Sequence, residues 1–313
     1  MPANHPVSFS LFLPQAAQTY QQLRQTALRL EALGYDGLWL VDHMWAEGIP
    51  ELDFLDGWTA VAGIAEATES LRLGLLVACN SYRNPGLLAK MAVSLDHISA
   101  GRAELGIGAG WQESEYKGYG IEFPPVGVRL EQLGESLAII ESLFSRERTN
   151  LEGRHYRFHD VPFEPKPVQD RLPITIGGAG KKVLLALVAR YASRWNCPMP
   201  DVARMPELIE ALAAHCKNIG RDPSEITISE QMAVVIGRDA GDLAAQMEVA
   251  KMFIGGFVDL NTMAVIGTPD QVVAKLEAKM ELGVTDFAIV FGDLGSEATL
   301  ELFATQVMER FRA

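Results

Sequence analysis

Apolar, strand-like runs alternate with amphipathic helical segments along the whole 313-residue chain, and this alternation limits its fold more than any other feature. Strands separated by helices are typical of parallel sheets, because each helix carries the chain back to the start of the next strand. About eight such pairs predict an α/β fold, a (β/α)8 TIM barrel that forms a single domain over residues 1–313. A doubly wound open sheet is the alternative, but residues 13–15 (LPQ) stand where its GxGxxG turn would be expected.

Two segments near the ends of the chain resemble each other. Residues 30–42 (LEALGYDGLWLVD) and 279–293 (KMELGVTDFAIVFGD) both combine a helix, a capping glycine, an aspartate and an apolar strand. The rhythm is interrupted once, where residues 151–171 alternate aromatic and polar residues and contain three prolines. We therefore expect an inserted excursion at about residues 148–172, in the form of a hairpin, between barrel strands four and five.

Charge and cysteine content narrow the choice of partners and compartment. A formal net charge of −13 argues against general binding to nucleic acid or to an anionic membrane, and no apolar run is long enough to span a bilayer. The amino-terminal residues lack the basic and apolar regions of a signal peptide. Cys79, Cys197 and Cys216 are far apart and form no CxxC pair, which favours a reducing, cytoplasmic location.

Chemistry in a TIM barrel lies at the carboxyl ends of the strands, where Asp42 and His43 follow the second predicted strand. A histidine in this position is suited to proton transfer. A hydrogen-bonded structural histidine and a metal ligand are the alternatives. The other strand ends supply neither a second histidine nor a carboxylate cluster, so we predict no metal.

The third and fourth predicted strands end in residues that suit a ligand pocket. Asn80 begins a polar run, NSYRNP, after the third strand. The fourth strand, residues 103–107, continues into Gly108, Ala109 and Gly110, whose small size lets a flat molecule approach the backbone. A tight strand-to-helix turn is the alternative explanation for these small residues.

A glycine-rich turn follows the fifth predicted strand, and an apolar helix is expected to start at Lys181. Backbone N–H groups at such a turn, the helix dipole and two lysines would together suit a phosphate group. The GxxxxGK[ST] spacing of a nucleotide-binding P-loop is absent, and a flexible loop start is the alternative. The turn consists of Gly177, Gly178, Ala179 and Gly180.

Several motifs together resemble one protein family over nearly the whole chain. They are VDHM at residues 41–44, the run of residues 80–111, residues 115–140, EGRHYRF and EPKPVQ at 152–158 and 164–169, and PITIGGAGKK at 173–182 with the later RWN. In these motifs the chain resembles the luciferase-like monooxygenase superfamily, and within it the oxidoreductases that use the deazaflavin coenzyme F420.

This resemblance implies a flavin-type ring over barrel strands two to four, with its phosphate near the glycine-rich turn. It implies that His43 donates a proton or steadies an anionic ring, and that Asp42 orients His43 or touches the cofactor. Residues 76–79 correspond to a bulge in the third strand, where the family often carries a non-prolyl cis peptide. The implied cofactor-binding residues are Asp42, Ala78, Cys79, Asn80, Gly108, Ala109, Gly177, Gly178, Ala179 and Gly180.

The chain departs from the sugar-phosphate dehydrogenases of this superfamily at one position. Those enzymes have a glutamate directly after the glycine turn, whereas this chain has Trp111, with Glu113 and Glu115 nearby but offset. We therefore expect a more apolar substrate than a sugar phosphate. We predict that Trp111, Glu115 and Trp195 line the substrate pocket, although Trp195 would equally well fill the barrel core.

The leading functional prediction is a hydride transfer between F420 and a small organic substrate. The alternatives are an FMN-dependent monooxygenase that uses reduced flavin and oxygen, and a non-catalytic flavin- or F420-binding protein. A metal-dependent hydrolase is disfavoured by the missing ligand set. The expected partners are a small-molecule substrate, an enzyme that reduces F420 or flavin, and a second copy of the chain in a homodimer.

Overall fold

A computed structural model describes residues 6–46 and 48–312; residues 1–5, which the signal-peptide prediction includes, residue 47 and residue 313 lie outside this description. The strands are β1 (Ser8–Phe12), β2 (Gly37–Leu40), β3 (Arg72–Leu75), β4 (Ala78–Cys79), β5 (Leu105–Gly108), β6 (Arg148–Glu152), β7 (Arg157–Pro162), β8 (Ile174–Gly177), β9 (Arg194–Cys197), β10 (Thr227–Ile236), β11 (Ala264–Gly267) and β12 (Val284–Phe291). The helices are α1 (Tyr20–Ala32), α2 (Gly57–Ala67), α3 (Pro85–Ile98), α4 (Glu113–Gly118), α5 (Val126–Ser145), α6 (Leu184–Tyr191), α7 (Met205–Ile219), α8 (Ala240–Phe253), α9 (Pro269–Glu281) and α10 (Glu297–Gln306).

The parallel strands close into a barrel in the order β3-β2-β1-β12-β10-β9-β8-β5-β4. β3 and β4 are the two halves of the third barrel strand, of which β3 pairs with β2 and β4 pairs with β5. A parallel bridge between Leu73 and Ala103 joins the remaining edges. The predicted (β/α)8 barrel is therefore confirmed.

The third barrel strand is interrupted at a cis peptide bond between Leu76 and Val77, which confirms the predicted non-prolyl cis peptide in residues 76–79. The sequence pattern alone suggests one continuous strand over residues 71–79. The interruption turns the Val77 side chain toward the neighbouring strands. A Cβ added at Gly177 would lie 3.0 Å from a Val77 methyl group, and one added at Gly108 would lie 2.8 Å from the other.

The predicted excursion is a two-stranded antiparallel hairpin, β6–β7. Its turn is fixed to α5 by one carboxylate, because Glu135 accepts hydrogen bonds from the backbone N–H groups of Arg154, His155 and Tyr156. The hairpin thus lies against the outer helices and takes no part in the barrel sheet.

Side-chain hydrogen bonds cap several helices at their amino-terminal ends. At the start of α9, Gln271 accepts a hydrogen bond from the Thr268 backbone N–H, as expected for a capping box. The prediction was wrong for α6, which begins at Leu184 rather than Lys181, because residues 181–183 form a turn. The four-residue strand β11, which pairs with the end of β10, was not predicted.

Packing inside the barrel depends on one large side chain. Trp39 is buried, and the opposing strand β3 has a glycine beside it. A Cβ added at Gly74 would lie 2.7 Å from the Trp39 ring and 2.3 Å from the carbonyl oxygen of Glu104. The glycine is therefore needed for the close approach of the backbone to a bulky neighbour.

The amino-terminal end of the barrel is closed by a buried polar network. Arg194 lies 2.8 Å from the Asp286 carboxylate and 3.3 Å from that of Glu104. Ser229 donates a hydrogen bond of 2.5 Å to the second Asp286 oxygen. Buried charges are tolerated when they are paired in this way.

The carboxyl end is partly covered by α8. Ala250 of this helix and Ile254 directly after it belong to one apolar cluster. The cluster also contains Phe12 of β1, Val41 after the end of β2, and Val290 of β12. The cluster fills the β10–β12–β1 side of the barrel mouth, which leaves the ends of β2, β4, β5 and β8 for a site. None of the helices within residues 6–46 and 48–312 is long and apolar enough to cross a membrane.

We expect Gly74→Ala to lower the free energy of unfolding by about 1–3 kcal/mol, because the added methyl group overpacks the contact between Trp39 and the backbone. Urea denaturation measures this change. The matched control is Gly127→Ala on α5, where an added Cβ meets nothing within 4 Å and stability should stay within about 0.5 kcal/mol. Equal effects of the two substitutions would contradict the packing argument.

Candidate functional site

The structure brings most of the predicted site residues to one rim of the barrel. Cys79 at the end of β4 pairs with Gly108 at the end of β5, and the next strand, β8, ends at Gly177. Asn80 directly follows β4, and His43 lies in the loop after β2, which ends at Leu40. Neighbouring parallel strands therefore present these residues at the same carboxyl-terminal edge, where ligands of this architecture bind.

A single carboxylate on α4 organises the residues after β2. Glu115 lies 2.9 Å from His43 Nδ1 and accepts a 2.7 Å hydrogen bond from the Tyr82 hydroxyl. Its other oxygen accepts the backbone N–H groups of Met44 and Trp45, at 2.5 and 3.3 Å. These contacts enclose the Glu115 side chain completely, and its predicted place in the substrate pocket stays a prediction.

Electrostatics favour an ionised Glu115. Burial alone would raise the pKa of this carboxyl, but the hydrogen bond and charge of His43, with the bond from Tyr82, hold it below its usual value of 4.5. Burial and the hydrogen bond to Glu115 raise the pKa of Tyr82, which therefore stays a protonated donor. Because a carboxylate only accepts hydrogen bonds, His43 must donate through Nδ1, and its Nε2 remains for other chemistry.

Asp42 has a different partner from the one expected. Its carboxylate binds the Arg83 guanidinium through two contacts, of 2.6 and 2.8 Å, and accepts the Cys79 backbone N–H at 2.8 Å. Burial raises the pKa of Asp42, and Arg83 opposes that effect. Both Asp42 oxygens are used to hold the third barrel strand. The expectation that Asp42 orients His43 or touches the cofactor stays a prediction.

The Cys79 side chain is held below the rim. Its sulfur lies 2.9 Å from the hydroxyl of Tyr116, and burial raises the pKa of the thiol to about 11. Cys79 is therefore a neutral thiol at physiological pH and unsuited to act as a nucleophile. The position of the Tyr116 hydroxyl also explains why residue 110 is a glycine. Gly110 has a φ of +78°, and an added Cβ would lie 1.9 Å from that hydroxyl.

Two buried amides at the rim have no hydrogen-bond partner. Asn80 is 1% exposed and Gln112 is 5% exposed, and both polar atoms of each side chain are unpaired. An unsatisfied buried polar group costs about 1–3 kcal/mol. A heterocycle with ring carbonyl and N–H groups would satisfy such an amide, so Asn80 fits a flavin or deazaflavin ring. Sequence reasoning missed Gln112, whose only signal is its place directly after Gly110 and Trp111.

The glycine-rich turn has fewer free hydrogen-bond donors and charges for a phosphate group than predicted. The Gly178 N–H already donates to the carbonyl of Asn196, at 3.1 Å. The Lys181 ammonium lies 2.7 Å from Glu207, and α6 begins only at Leu184. Phosphate binding by Gly177, Gly178, Ala179 and Gly180 stays a prediction, but one backbone donor and one lysine charge are engaged elsewhere.

The two predicted pocket tryptophans differ in their surroundings. Trp195 is completely buried and donates a 2.8 Å hydrogen bond to the Gly178 carbonyl. Trp195 belongs to the apolar cluster that includes Leu185 and Val188 of α6, and it supports the turn; its contact with substrate stays a prediction. Trp111 is 59% exposed, and its ring centroid lies 5.5 Å from that of His43 with the ring planes at 78°.

The remaining residues predicted to bind the cofactor are Ala78, Gly108 and Ala109. Ala78 and Gly108 are buried in the paired strands β4 and β5, whereas Ala109 is half-buried at the rim. Within the part of the chain that the structure describes, no three histidine, cysteine or acidic side chains are grouped so that they could hold a metal ion.

Residues 7–258 match the family of luciferase-like monooxygenases. The chain belongs to this family. A phthiodiolone/phenolphthiodiolone dimycocerosates ketoreductase of Mycobacterium tuberculosis is 29% identical over 256 residues, which cover 73% of this chain and 65% of the relative.

Solved structures of family-like enzymes share the fold. An F420-dependent secondary alcohol dehydrogenase, in complex with an F420–acetone adduct, superposes with a TM-score of 0.83 at 17% identity and covers 97% of this chain and 99% of its own. The long-chain alkane monooxygenase LadA gives a TM-score of 0.83 at 15% identity, over 99% and 92%. At these identities the likeness shows the fold, and the family membership supports an oxidoreductase.

In this luciferase-like oxidoreductase, Asn80→Leu should leave the free energy of unfolding of the ligand-free protein unchanged or raise it by as much as about 1 kcal/mol, because an unsatisfied amide is removed. Urea denaturation tests this. The matched control is Gln15→Leu, since the buried Gln15 amide makes three hydrogen bonds, two to Val41 and one to Leu55. The control should lose about 2–4 kcal/mol. A similar loss in Asn80→Leu would show that its amide is already satisfied.

Proposed function

We propose that this protein catalyses hydride transfer between coenzyme F420 and a small organic carbonyl or alcohol at the rim formed by β2, β4, β5 and β8. The observation that carries the proposal is His43, whose Nδ1 is held by the ionised Glu115 and whose side chain is 28% exposed. A histidine fixed through one ring nitrogen has its other nitrogen directed by the same contact, as acid–base catalysis requires.

The rim offers groups that suit a flat, polar-edged cofactor. Asn80 would hydrogen-bond the ring edge, Gly108 and Ala109 would allow its close approach, and the turn at Ala179 and Gly180 would receive its phosphate. When bound, the deazaflavin supplies or accepts the hydride. The protein residues provide placement and proton handling.

Proton handling falls to His43. In the reducing direction, His43 Nε2 would give its proton to the substrate oxygen while the carbonyl carbon receives the hydride that the bound cofactor would supply, so that the carbonyl becomes the alcohol. In the opposite direction, Nε2 takes the hydroxyl proton. Glu115 stays ionised throughout and stabilises the positive imidazole, and Tyr82 keeps that carboxylate in place.

The choice of F420 rests on two supports. The motifs of residues 80–111 resemble the F420-dependent branch, and the ketoreductase and alcohol dehydrogenase relatives carry carbonyl and alcohol chemistry in their names. The alternative is an FMN-dependent monooxygenase, favoured by an equal structural likeness to LadA. The organised pair of His43 and Glu115 argues against a non-catalytic binding protein. A homodimer and a partner enzyme that reduces F420 or flavin stay predictions from the sequence.

The direct test is a fluorescence titration of the purified protein with F420 and, separately, with FMN. We expect micromolar or tighter binding of F420, corresponding to about −8 kcal/mol, and at least tenfold weaker binding of FMN. Asn80→Leu should weaken the binding of F420 about tenfold. Tight FMN binding without detectable F420 binding would overturn the proposal in favour of the monooxygenase.

His43→Ala should lower turnover by about 10²–10⁴-fold, the usual contribution of a positioned acid–base group. The dissociation constant of the cofactor should change by less than about threefold, because His43 acts on the proton and contributes little to holding the ring. Steady-state kinetics and the same fluorescence titration separate the two quantities. Unchanged turnover would remove His43 from the mechanism.

Glu115→Gln gives a pH-dependent prediction. The pKa of Glu115 is depressed in the folded protein, so its ionised form adds stability above the unfolded value of 4.5, and this contribution is lost as the pH falls through the folded pKa. The stability difference between wild type and Glu115→Gln should therefore be largest at neutral pH and shrink below about pH 4.5. Glu113→Gln on the same helix, whose glutamate forms an exposed pair with Lys117, is the control and should change little. A pH-independent difference would contradict the assignment.

A further inference from the structure

Trp111 is a large aromatic side chain exposed directly beside the candidate acid–base group. More than half of the Trp111 side-chain surface is exposed to solvent, and its ring centroid lies 5.5 Å from that of His43 in an edge-on arrangement. Exposed tryptophans are uncommon and are enriched where a molecule binds. The carbonyl of a ligand lying on the free part of this indole would be close to the His43 imidazole.

Packing contacts and hydrogen bonds hold the backbone on both sides of Trp111 in place. It follows Gly110, whose lack of a Cβ makes room for the Tyr116 hydroxyl, and it precedes α4, which is anchored to the β2 loop through Glu115. Gln112, the next residue, is buried. The exposed indole therefore stands on a rigid support, unlike an aromatic side chain on a free loop.

The charged side chains described around this indole already have partners. Glu113 pairs with Lys117 at 2.8 Å, and Glu115 is enclosed by its own hydrogen bonds. Arg83 is committed to Asp42 through two contacts. When His43 is protonated, its charge is already balanced by Glu115. An anionic substrate placed here would therefore lose its hydration without gaining an unpaired counter-ion, which is costly.

We propose that Trp111 is the substrate-recognition residue, and that it selects an uncharged substrate with a flat apolar ring next to the reacting carbonyl or carbinol carbon. The ring would stack on the exposed indole in an offset or edge-to-face arrangement. This inference rests on the proposed function for the reaction that follows binding, but the binding itself is measured independently of turnover.

The experiment labels the full-length protein with 5-fluorotryptophan and follows it by fluorine NMR. The chain contains five tryptophans, and Trp111→Phe identifies the resonance of Trp111 by its disappearance. Acetophenone and 2-acetylnaphthalene are the flat uncharged probes, cyclohexanone is the uncharged non-planar probe, and glucose 6-phosphate is the anionic probe. Each is added to protein with and without bound F420.

We expect the flat ketones to shift the Trp111 resonance with saturation, cyclohexanone to bind at least threefold more weakly, and glucose 6-phosphate to leave it unchanged. Trp111→Leu should weaken acetophenone binding, followed by the other labelled tryptophans or by its Michaelis constant, about tenfold. Trp111→Phe, which keeps a flat ring, should weaken it less than threefold. The matched control is Tyr119→Leu: Tyr119 is exposed at the far end of α4 and stacks on Trp45, and its loss should have no effect.

Two results would overturn the inference: no flat ketone shifts the resonance, or Trp111→Leu binds acetophenone as tightly as wild type does. Productive binding of glucose 6-phosphate would also overturn it. The titration with F420 and FMN in the same samples judges the proposed function separately. Loss of cofactor binding with a retained ketone shift would refute that function alone, whereas normal cofactor binding without any ketone shift would refute the role of Trp111 alone.

Discussion

The carboxylate of Glu115 is the interaction on which the candidate site depends. It joins α4 to the loop after β2 and to the segment after β4, through His43, the backbone of Met44 and Trp45, and Tyr82. These segments are far apart in sequence and share no strand pairing. Without a buried acceptor between them, the imidazole would be free to rotate and the backbone donors would be unsatisfied.

A second buried carboxylate, Asp42, has a comparable role deeper in the barrel. Asp42 and Arg83 connect the end of β2 to the segment that follows β4, and Asp42 also binds the Cys79 backbone. The two neighbouring residues Asp42 and His43 therefore have separate tasks. Asp42 fixes the third barrel strand, and His43 is held by the Glu115 carboxylate of α4. A pair of adjacent polar residues at a strand end points to opposite sides because side chains alternate along extended backbone.

The architecture was predictable because local patterns and the global fold agree in this chain. Strand–helix alternation and the proline-containing excursion both appear in the structure as expected. Side-chain partners were not predictable in the same way. Glu115 lies 72 residues from His43, and only the folded barrel shows that it faces inward. The start of α6 was missed because glycines and lysines fit a turn and a helix start equally well.

Tryptophans show why residue type alone did not predict the pocket. Trp195 lies within β9 and is enclosed, whereas Trp111 follows β5 and is exposed. Trp39 points into the barrel, where Gly74 gives it room, whereas Trp195 points to the other face of its strand and belongs to the apolar cluster that includes Leu185 and Val188 of α6. Trp111 lies beyond its strand, after the turn at Gly110, where no barrel interior remains to receive it.

The two unpaired amides indicate what kind of ligand would fit this rim. The buried side chains of Gln15 and Asp42 each make three hydrogen bonds. Yet Asn80 and Gln112, both at the rim, are buried with none. Departures from local satisfaction concentrate where a protein meets a ligand, because the missing partner arrives with it. The rim therefore has two complementary halves. Asn80 suits the polar edge of a cofactor ring, and the exposed indole of Trp111 suits an uncharged substrate.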